Sequence, residues 1–210
     1  MRWPGVCFPL AVTRPTLDSR SHISPTPVSD GPRVPRSGLF ARAPIRRLLT
    51  LPDPRLSLPA LEVDPRDPAI VALARELVAT MNASPACIGL AAPQLGAMMR
   101  VLCVDVTDHA EASSCAGLVV LANPRIVERA GNVVMFEHCA SVPHLTGPVA
   151  RAASVIVEGF VPGTRQLVRV TADGIEARCL LHELDHLDGY VFADRMLDAS
   201  AELGSRAWYT

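Results

Sequence analysis

Two histidines with a glutamate between them form the segment best suited to chemistry. The run His182-Glu183-Leu184-Asp185-His186 places two imidazoles four residues apart. Residues four apart share one face of a helix, so both imidazoles can bind one metal ion. Glu183 would then lie beside the open coordination position, where it can act as acid and base. The pentad therefore predicts a catalytic divalent metal site, although two ordinary helix histidines flanking a solvated glutamate would give the same pattern.

A third protein ligand is needed, because catalytic sites of this kind have three protein ligands and one open position. A histidine six residues after His186 would indicate a metzincin protease, but Phe192 occupies that position. Cys139 is the better candidate, since it follows a strand-like run, leads into a proline-bounded loop and can supply a thiolate. A buried structural cysteine is the alternative. Carboxylates downstream of the pentad stay open as ligands of another peptidase class: Asp188, Asp194, Asp198 and Glu202.

Three segments, in order, resemble the motifs of the peptide deformylase family. Residues 87–94, Cys-Ile-Gly-Leu-Ala-Ala-Pro-Gln, resemble Gly-(apolar)-Gly-Leu-Ala-Ala-x-Gln. Residues 137–141, Glu-His-Cys-Ala-Ser, resemble Glu-Gly-Cys-Leu-Ser. Residues 182–189 fit His-Glu-x-Asp-His-Leu-x-Gly at every fixed position. Three ordered motifs are far more specific than one, and the resemblance covers roughly residues 47–197.

The resemblance implies a metal site with three protein ligands and water as the fourth. Its ligands are Cys139, His182 and His186. A thiolate and two imidazoles suit Fe(II), which we expect first, or Zn(II) as the alternative. Glu183 is then the base that takes a proton from the attacking water. By the same resemblance, the Gln94 carboxamide and the Ala140 backbone N–H would donate to the oxyanion.

The reaction implied is removal of the formyl group from the N-terminal formylmethionine of new polypeptides. Ile88 and Gly89 would lie beside the substrate peptide, which pairs with them like an added strand. Ile175 and Cys179 match positions of the family's methionine pocket, although ordinary helix packing explains Ile175 equally well. Arg178 falls where the family usually has an apolar residue, so either the pocket is reshaped or Arg178 extends outward to solvent.

Several residues depart from the family motifs without removing a ligand or the base. These departures are Cys87, His138, Ala140 and Leu181. His138 replaces a glycine, which would strain the chain if the backbone there needs a positive φ. Otherwise it is a partly exposed loop residue. Glu137 is expected to be buried and paired with Arg151, as a structural ion pair.

Three functions remain open at this point. The first is an active deformylase acting on N-formylmethionyl nascent chains, with transient proximity to the ribosome. The second is a deformylase-like protein that binds metal or formylated peptides without turnover. The third is an unrelated His-Glu-x-x-His metallopeptidase, which Phe192 and the fit of Cys139 disfavour.

The elements that must hold this site predict an α+β fold, with antiparallel sheets packed around a central metal-binding helix. Asp67 is the expected N-cap of a first helix, with Pro68 at its first position. A second helix is predicted from Ile175 to about Leu187, closed by Gly189. Strand-like runs lie between them, at residues 100–106, 118–122, 133–136, 154–158 and 166–171.

Composition divides the chain into three parts. Residues 1–46 are proline- and arginine-rich and are expected to be a disordered extension or a transit peptide, 47–198 the catalytic domain and 199–210 a tail. Residues 48–210 carry twelve arginines against nineteen acids, so direct nucleic-acid binding is not expected. Scattered cysteines favour a reducing compartment, and no membrane span is predicted. We therefore expect the bacterial cytoplasm, or a mitochondrial or plastid matrix if residues 1–46 are a transit peptide.

Overall fold

The computed structural model describes residues 43–84 and 86–197, and these have the predicted α+β fold. Two α-helices occur in this part of the chain, α1 (Pro68–Asn82) and α2 (Gly174–Leu187). Its strands are β1 (Gly89–Ala91), β2 (Val101–Val104), β3 (Val119–Ala130), β4 (Val133–Cys139), β5 (Val142–Arg151), β6 (Ser154–Phe160) and β7 (Leu167–Asp173). The predicted extension lies outside the described residues except for 43–46, and the predicted tail 199–210 lies wholly outside them.

Five strands form one antiparallel sheet in the order β1-β2-β3-β6-β7, and β4 pairs only with β5 in a two-stranded ribbon. The predicted antiparallel arrangement is confirmed. Two strands were missed. β1 is only three residues long, and β5 occupies the segment that we had expected to be a proline-bounded loop after Cys139.

The β4–β5 ribbon determines what surrounds Cys139. Val133 pairs with Arg151 at one end and Cys139 pairs with Val142 at the other, with a register shift before Cys139. Prolines do not prevent β5 from forming, because one of its edges carries only an isolated bridge, from Val149 to Met196, and such an edge tolerates a missing N–H. Glu137 and Arg151 therefore lie on neighbouring strands within reach of each other.

Helix α1 covers one face of the five-stranded sheet. Its N-cap is the predicted Asp67, whose side chain accepts a hydrogen bond from the Ala69 N–H at 2.8 Å. The apolar face of α1, including Leu73 and Leu77, packs in one core cluster with Cys103 of β2. The helix thus begins at the residue that the capping chemistry predicted.

Helix α2 packs against the opposite face of the five-stranded sheet. On this face lie the β2 side chains that alternate with Cys103. Leu180 and Leu184 join Leu102 and Val104 in a second core cluster. Fully burying a leucine side chain contributes about 2 kcal/mol, so this contact fixes the helix firmly on the sheet.

In the described residues no helix combines the length and apolar character needed to cross a membrane.

The end of α2 is fixed by Gly189, the predicted breaker. Its φ of +81° lies in the left-handed region, and a Cβ there would come within 2.9 Å of the backbone of Leu58. Only glycine meets both conditions without strain. The segment before α1 can therefore pack directly against the end of the site helix.

Candidate active site

The three predicted ligands come together. The ligand atoms of Cys139, His182 and His186 all lie within 4.8 Å of one another, and Cys139 Sγ is 3.2 Å from His186 Nε2. Metal–ligand distances of about 2.0 to 2.3 Å bring the ligand atoms of one tetrahedral ion closer to one another than this limit. Cys139 ends β4, while helical spacing puts both histidines on the same face of α2. In the part of the chain that the structure describes, this is the one such group of His, Cys, Asp or Glu.

Neighbouring side chains shield this group from solvent. Cys139 is 5 % exposed and His186 only 1 %. The ring of Phe192 lies nearly parallel to that of His182, with centroids 6.3 Å apart. Phe192 thus fills the space beside a ligand, at the position where a metzincin would have another histidine.

The sulfur of Cys139 is surrounded by hydrogen-bond donors. The Ser141 N–H lies 3.4 Å from Sγ and Gln94 Nε2 lies 3.6 Å from it. Ser141 also accepts from Gln94 Nε2 at 3.2 Å. These contacts fix the position of the sulfur within the ligand group. Sequence reasoning gave Ser141 no role, although it is the last residue of the second motif.

Glu137 is the centre of a buried ion network. Its carboxylate accepts from Arg151 Nε at 2.5 Å and Nη2 at 2.9 Å, so the predicted pair exists. It also faces His182 Nδ1 at 3.0 Å and accepts from Arg178 Nη1 at 2.6 Å. Burial alone would raise the pKa of Glu137, but the hydrogen bonds of His182 and Arg151 outweigh it and lower the pKa to about 2. Glu137 is therefore ionised and fixes the orientation of the His182 ring.

The two histidines lie in different electrostatic environments. Burial disfavours the charged form of His182, but hydrogen bonds with Cys139 and Glu137 raise its pKa to about 10. Burial and the neighbouring His182 lower the pKa of His186 well below its ordinary value. The negative groups that favour a proton on His182 equally favour a cation at the same place.

Glu183 has the environment expected of an acid/base. It is 4 % exposed, and burial raises its pKa from 4.5 to about 7. Among the described residues, its Oε2 and His186 Nδ1 are two of the three buried side-chain polar atoms without a hydrogen-bond partner. Buried polar atoms are rarely left unsatisfied, so Glu183 Oε2 points to a missing partner in this site, whereas His186 Nδ1 lies on the ring edge away from Cys139, which faces Nε2. This donor set, of one sulfur and two imidazoles, fits a divalent cation.

Gln94 is held with its amide nitrogen towards the metal-ligand group. Its Oε1 accepts the Ala91 N–H at 2.9 Å, so the NH₂ end must face Cys139 and Ser141. Gln94 is 2 % exposed, in the short helical turn Ala92–Leu95 that follows β1. Ala140 lies in the turn between β4 and β5, directly after Cys139.

One cavity of about 530 Å³ brings together all the predicted site residues except His186, which is buried and does not line it. Ile88, Gly89, Ile175 and Cys179 all line it, beside Glu183. The Cys179 thiol donates to the Ile88 carbonyl at 3.4 Å, which ties the strand segment to α2. The close contact between α2 and the segment that leads into β1 therefore forms the wall of the cavity next to Glu183.

The departures from the family motifs are accommodated. His138 is an exposed residue of strand β4, not of a loop, and in the described residues only Asn123 combines a side chain with a positive φ. His138, which stands where the family motif has glycine, therefore causes no backbone strain. Burial raises the pKa of Cys87 to about 12, which keeps this thiol neutral, and Leu181 packs in the core. Arg178 does not extend outward but is 7 % exposed and turned towards Glu137.

Comparison with known proteins agrees with this geometry. The family model described as polypeptide deformylase matches residues 45–202. The peptide deformylase of Thermomicrobium roseum is 38% identical over 157 residues, which cover 74% of this chain and 88% of that protein. That of Syntrophobacter fumaroxidans is 36% identical over 161 residues, covering 77% and 92%.

Solved structures give the same result. The crystal structure of peptide deformylase from Ehrlichia chaffeensis matches with a TM-score of 0.68 and 32% identity, covering 74% of this chain and 89% of that one. A Met-Ala-Ser-bound class I type b peptide deformylase from Acinetobacter baumannii matches with a TM-score of 0.66 and 28% identity, covering 74% and 100%. The three motifs, the fold and the family match agree, and the chain belongs to the peptide deformylase family.

Proposed function

We propose that this chain is a metal-dependent hydrolase that removes the formyl group from the N-terminal formylmethionine of nascent polypeptides. The observation that carries the proposal is the cluster of one cysteine and two histidines beside a cavity that is lined by a buried glutamate and an oriented glutamine. The residues proposed to hold the cation are Cys139, His182 and His186.

A bound divalent cation would supply Lewis acidity, which lowers the pKa of a water molecule and polarises the formyl carbonyl. Glu183 takes the proton of the attacking water and delivers it to the departing amine. A pKa of about 7 suits a group that must both accept and release a proton near neutral pH. Burial of Glu183 is what makes this carboxylate basic enough for the task.

The developing oxyanion needs donors that are already in place. Gln94 Nε2 is the side-chain donor, and its orientation is fixed by the hydrogen bond from Ala91 to the other end of the amide. The Ala140 N–H is the backbone donor, which a change of side chain from leucine to alanine leaves intact. Removing one such donor costs about 100- to 1,000-fold in rate in other enzymes.

The substrate peptide is proposed to lie along Ile88 and Gly89, with its methionine side chain against Ile175 and Cys179. All four residues line the cavity that contains Glu183. The Acinetobacter baumannii deformylase was solved with Met-Ala-Ser bound, which supports a short methionyl peptide as occupant here. Backbone pairing with Ile88 and Gly89 would bind peptides with little regard to later residues.

Iron(II) is the metal that we propose, with zinc(II) as the alternative, because both accept a thiolate with two imidazoles. The bacterial relatives support action in a bacterial cytoplasm, near the ribosome that produces the formylated chain. A mitochondrial or plastid matrix is the alternative location if residues 1–46 are a transit peptide.

A binder without turnover is the second candidate, motivated by the changes at Cys87, His138, Ala140 and Leu181. An intact base argues against it, since Glu183 is buried at a cost that binding alone does not require. The peptidase alternative is disfavoured by a cysteine in the ligand group and by Phe192 beside it.

The test is formate release from formyl-Met-Ala-Ser by protein loaded with Fe(II) or Co(II), with Glu183→Gln as the matched control. We expect turnover that the control lacks, at equal metal content. Equal formate from both proteins would contradict catalysis by Glu183, and metal binding with no formate from either would leave the binder. Cleavage of the Met-Ala bond instead of the formamide would favour the peptidase.

A further inference from the structure

Arg178 occupies a buried position on α2, four residues before His182. It donates to Glu137 Oε1 at 2.6 Å, and also to the carbonyl oxygens of Val133 at 2.7 Å and Val149 at 3.2 Å. These two carbonyls belong to β4 and β5. The guanidinium therefore connects the site helix, the Glu137 carboxylate and the backbone of both strands of the ribbon.

The Glu137 carboxylate is held at both oxygens. Oε1 accepts from Arg151 and Arg178, while Oε2 accepts from Arg151 and faces His182 Nδ1. Arg151 forms a two-pronged pair with Glu137 and donates from Nη1 to Asp185 Oδ2 at 2.8 Å, so its partners are side chains only. Arg178 adds a further hydrogen bond to Glu137. Its guanidinium is itself fixed by hydrogen bonds to main-chain carbonyls, which cannot rotate as side chains do.

We propose that Arg178 is a positioning residue for metal binding. By tying Glu137 to the backbone of β4 and β5, it keeps Oε2 against His182 Nδ1 and so keeps the opposite ring nitrogen turned towards Cys139 and His186. This inference rests on the ligand set of the proposed function. Carboxylate partners of metal-binding histidines fix the tautomer and orientation of the ring, and Arg178 fixes the carboxylate.

The sign of the effect separates positioning from simple electrostatics. A cation close to a metal site repels the metal, so removing the charge of Arg178 should strengthen metal binding if charge is all that matters. Positioning predicts the opposite, because a loosened Glu137 lets the His182 ring rotate away from the other ligands. A purely structural role would lower the melting temperature without changing the affinity for metal.

The test is Co(II) affinity of the full-length protein, measured by competition with a chromophoric chelator. We expect Arg178→Met to bind Co(II) about tenfold more weakly than the unaltered chain, at the low end of the range for outer partners of metal ligands. Arg195→Met is the matched control, because Arg195 donates to Asp185 in the same network at 2.9 Å. Its side chain is 45 % exposed, and it makes no hydrogen bond to Glu137 among the contacts described. Its affinity is expected to stay within about twofold of the unaltered chain.

A second variant, Arg178→Gln, removes the charge but keeps a polar side chain, whose single NH₂ group cannot donate to Glu137 and to the carbonyls of Val133 and Val149 at once. It decides the question if Arg178→Met does not fold, and the same weakening is expected. Unchanged or tighter Co(II) binding in the folded Arg178 variants would overturn the positioning role while leaving the proposed function intact. Failure of the unaltered chain to bind Co(II) would overturn both, so the two failures are distinguishable.

Discussion

Gly89 is the position where the smallest change should have the largest effect on rate. A methyl group there would lie 2.6 Å from Cys179 Sγ and 2.8 Å from Glu183 Oε1. Ordinary contacts begin near 3.4 Å, so the Glu183 oxygen must move by about 0.6 Å. Position 89 therefore requires glycine because a methyl group would clash with two side chains of α2. This reason adds to the approach of the substrate, which the sequence had suggested.

The expected result for Gly89→Ala is a loss of about 10- to 100-fold in kcat/KM for formyl-Met-Ala-Ser, because misplacing a reacting group by about 1 Å can cost 100-fold. Overpacking should also lower the free energy of unfolding by about 1–3 kcal/mol. Adding Cys179→Ala removes the clash with sulfur but not the clash with Glu183. Stability should then recover in the double variant while the rate stays low.

The assay is formate release at matched metal content, with urea unfolding of each variant. Gly159→Ala serves as the control, since its methyl group would crowd Leu121 at 3.0 Å in the central sheet, where it meets no predicted site residue. It should lose stability without a comparable loss of kcat/KM. A rate for Gly89→Ala within about twofold of the unaltered chain would refute the reasoning, because Glu183 would then tolerate the displacement.

Three further predictions concern the ion network, the metal and the first helix. Glu137→Gln leaves Arg151 and Arg178 buried without their carboxylate, and should lower the free energy of unfolding by about 3–5 kcal/mol in urea titrations; unchanged stability would show that the network is not structural. The lowered pKa of Glu137 makes its contribution complete above about 4.5 and lost as the pH falls towards about 2, so the difference between the two proteins should shrink in that window and stay constant at higher pH. Cys139→Ser should lose bound metal on dialysis, measured by elemental analysis, and full retention would exclude Cys139 as a ligand. Asp67→Ala should cost about 1 kcal/mol through loss of the α1 cap, whereas a cost near zero would mean that the hydrogen bond to Ala69 contributes nothing.

The helices were predictable because their signals are local. Asp67 and Pro68 are the N-cap and the first residue of the helix that they start, and Gly189 lies two residues after the last residue of the helix that it ends. The ligand spacing of His182 and His186 is likewise a property of one helical turn. Three ordered motifs then identified the family before any tertiary contact was known.

Strand β5 could not be predicted from its own residues. Its prolines and glycine argue against a strand, and what stabilises it is pairing with β4 across a register from Val133 to Cys139, with an isolated bridge from Val149 to Met196 on its other edge. The role of His138 changed for the same reason, because a position that reads as a loop in sequence is an exposed residue in that ribbon. Pairing across strands depends on partners that sequence periodicity does not specify.

The amino-acid sequence alone identified the family and predicted the chemistry of this protein, namely the types of the metal ligands and the base. The tertiary structure decided which of these groups lie in contact with one another. The sequence left open whether Arg178 reshapes the pocket or extends to solvent. In the structure it is buried, and a buried guanidinium needs hydrogen-bond acceptors around it, which Glu137 and two carbonyls provide. The same packing of α2 against β1 fixes the distance from Gly89 to Glu183, a spacing between residues 94 positions apart that no local pattern encodes.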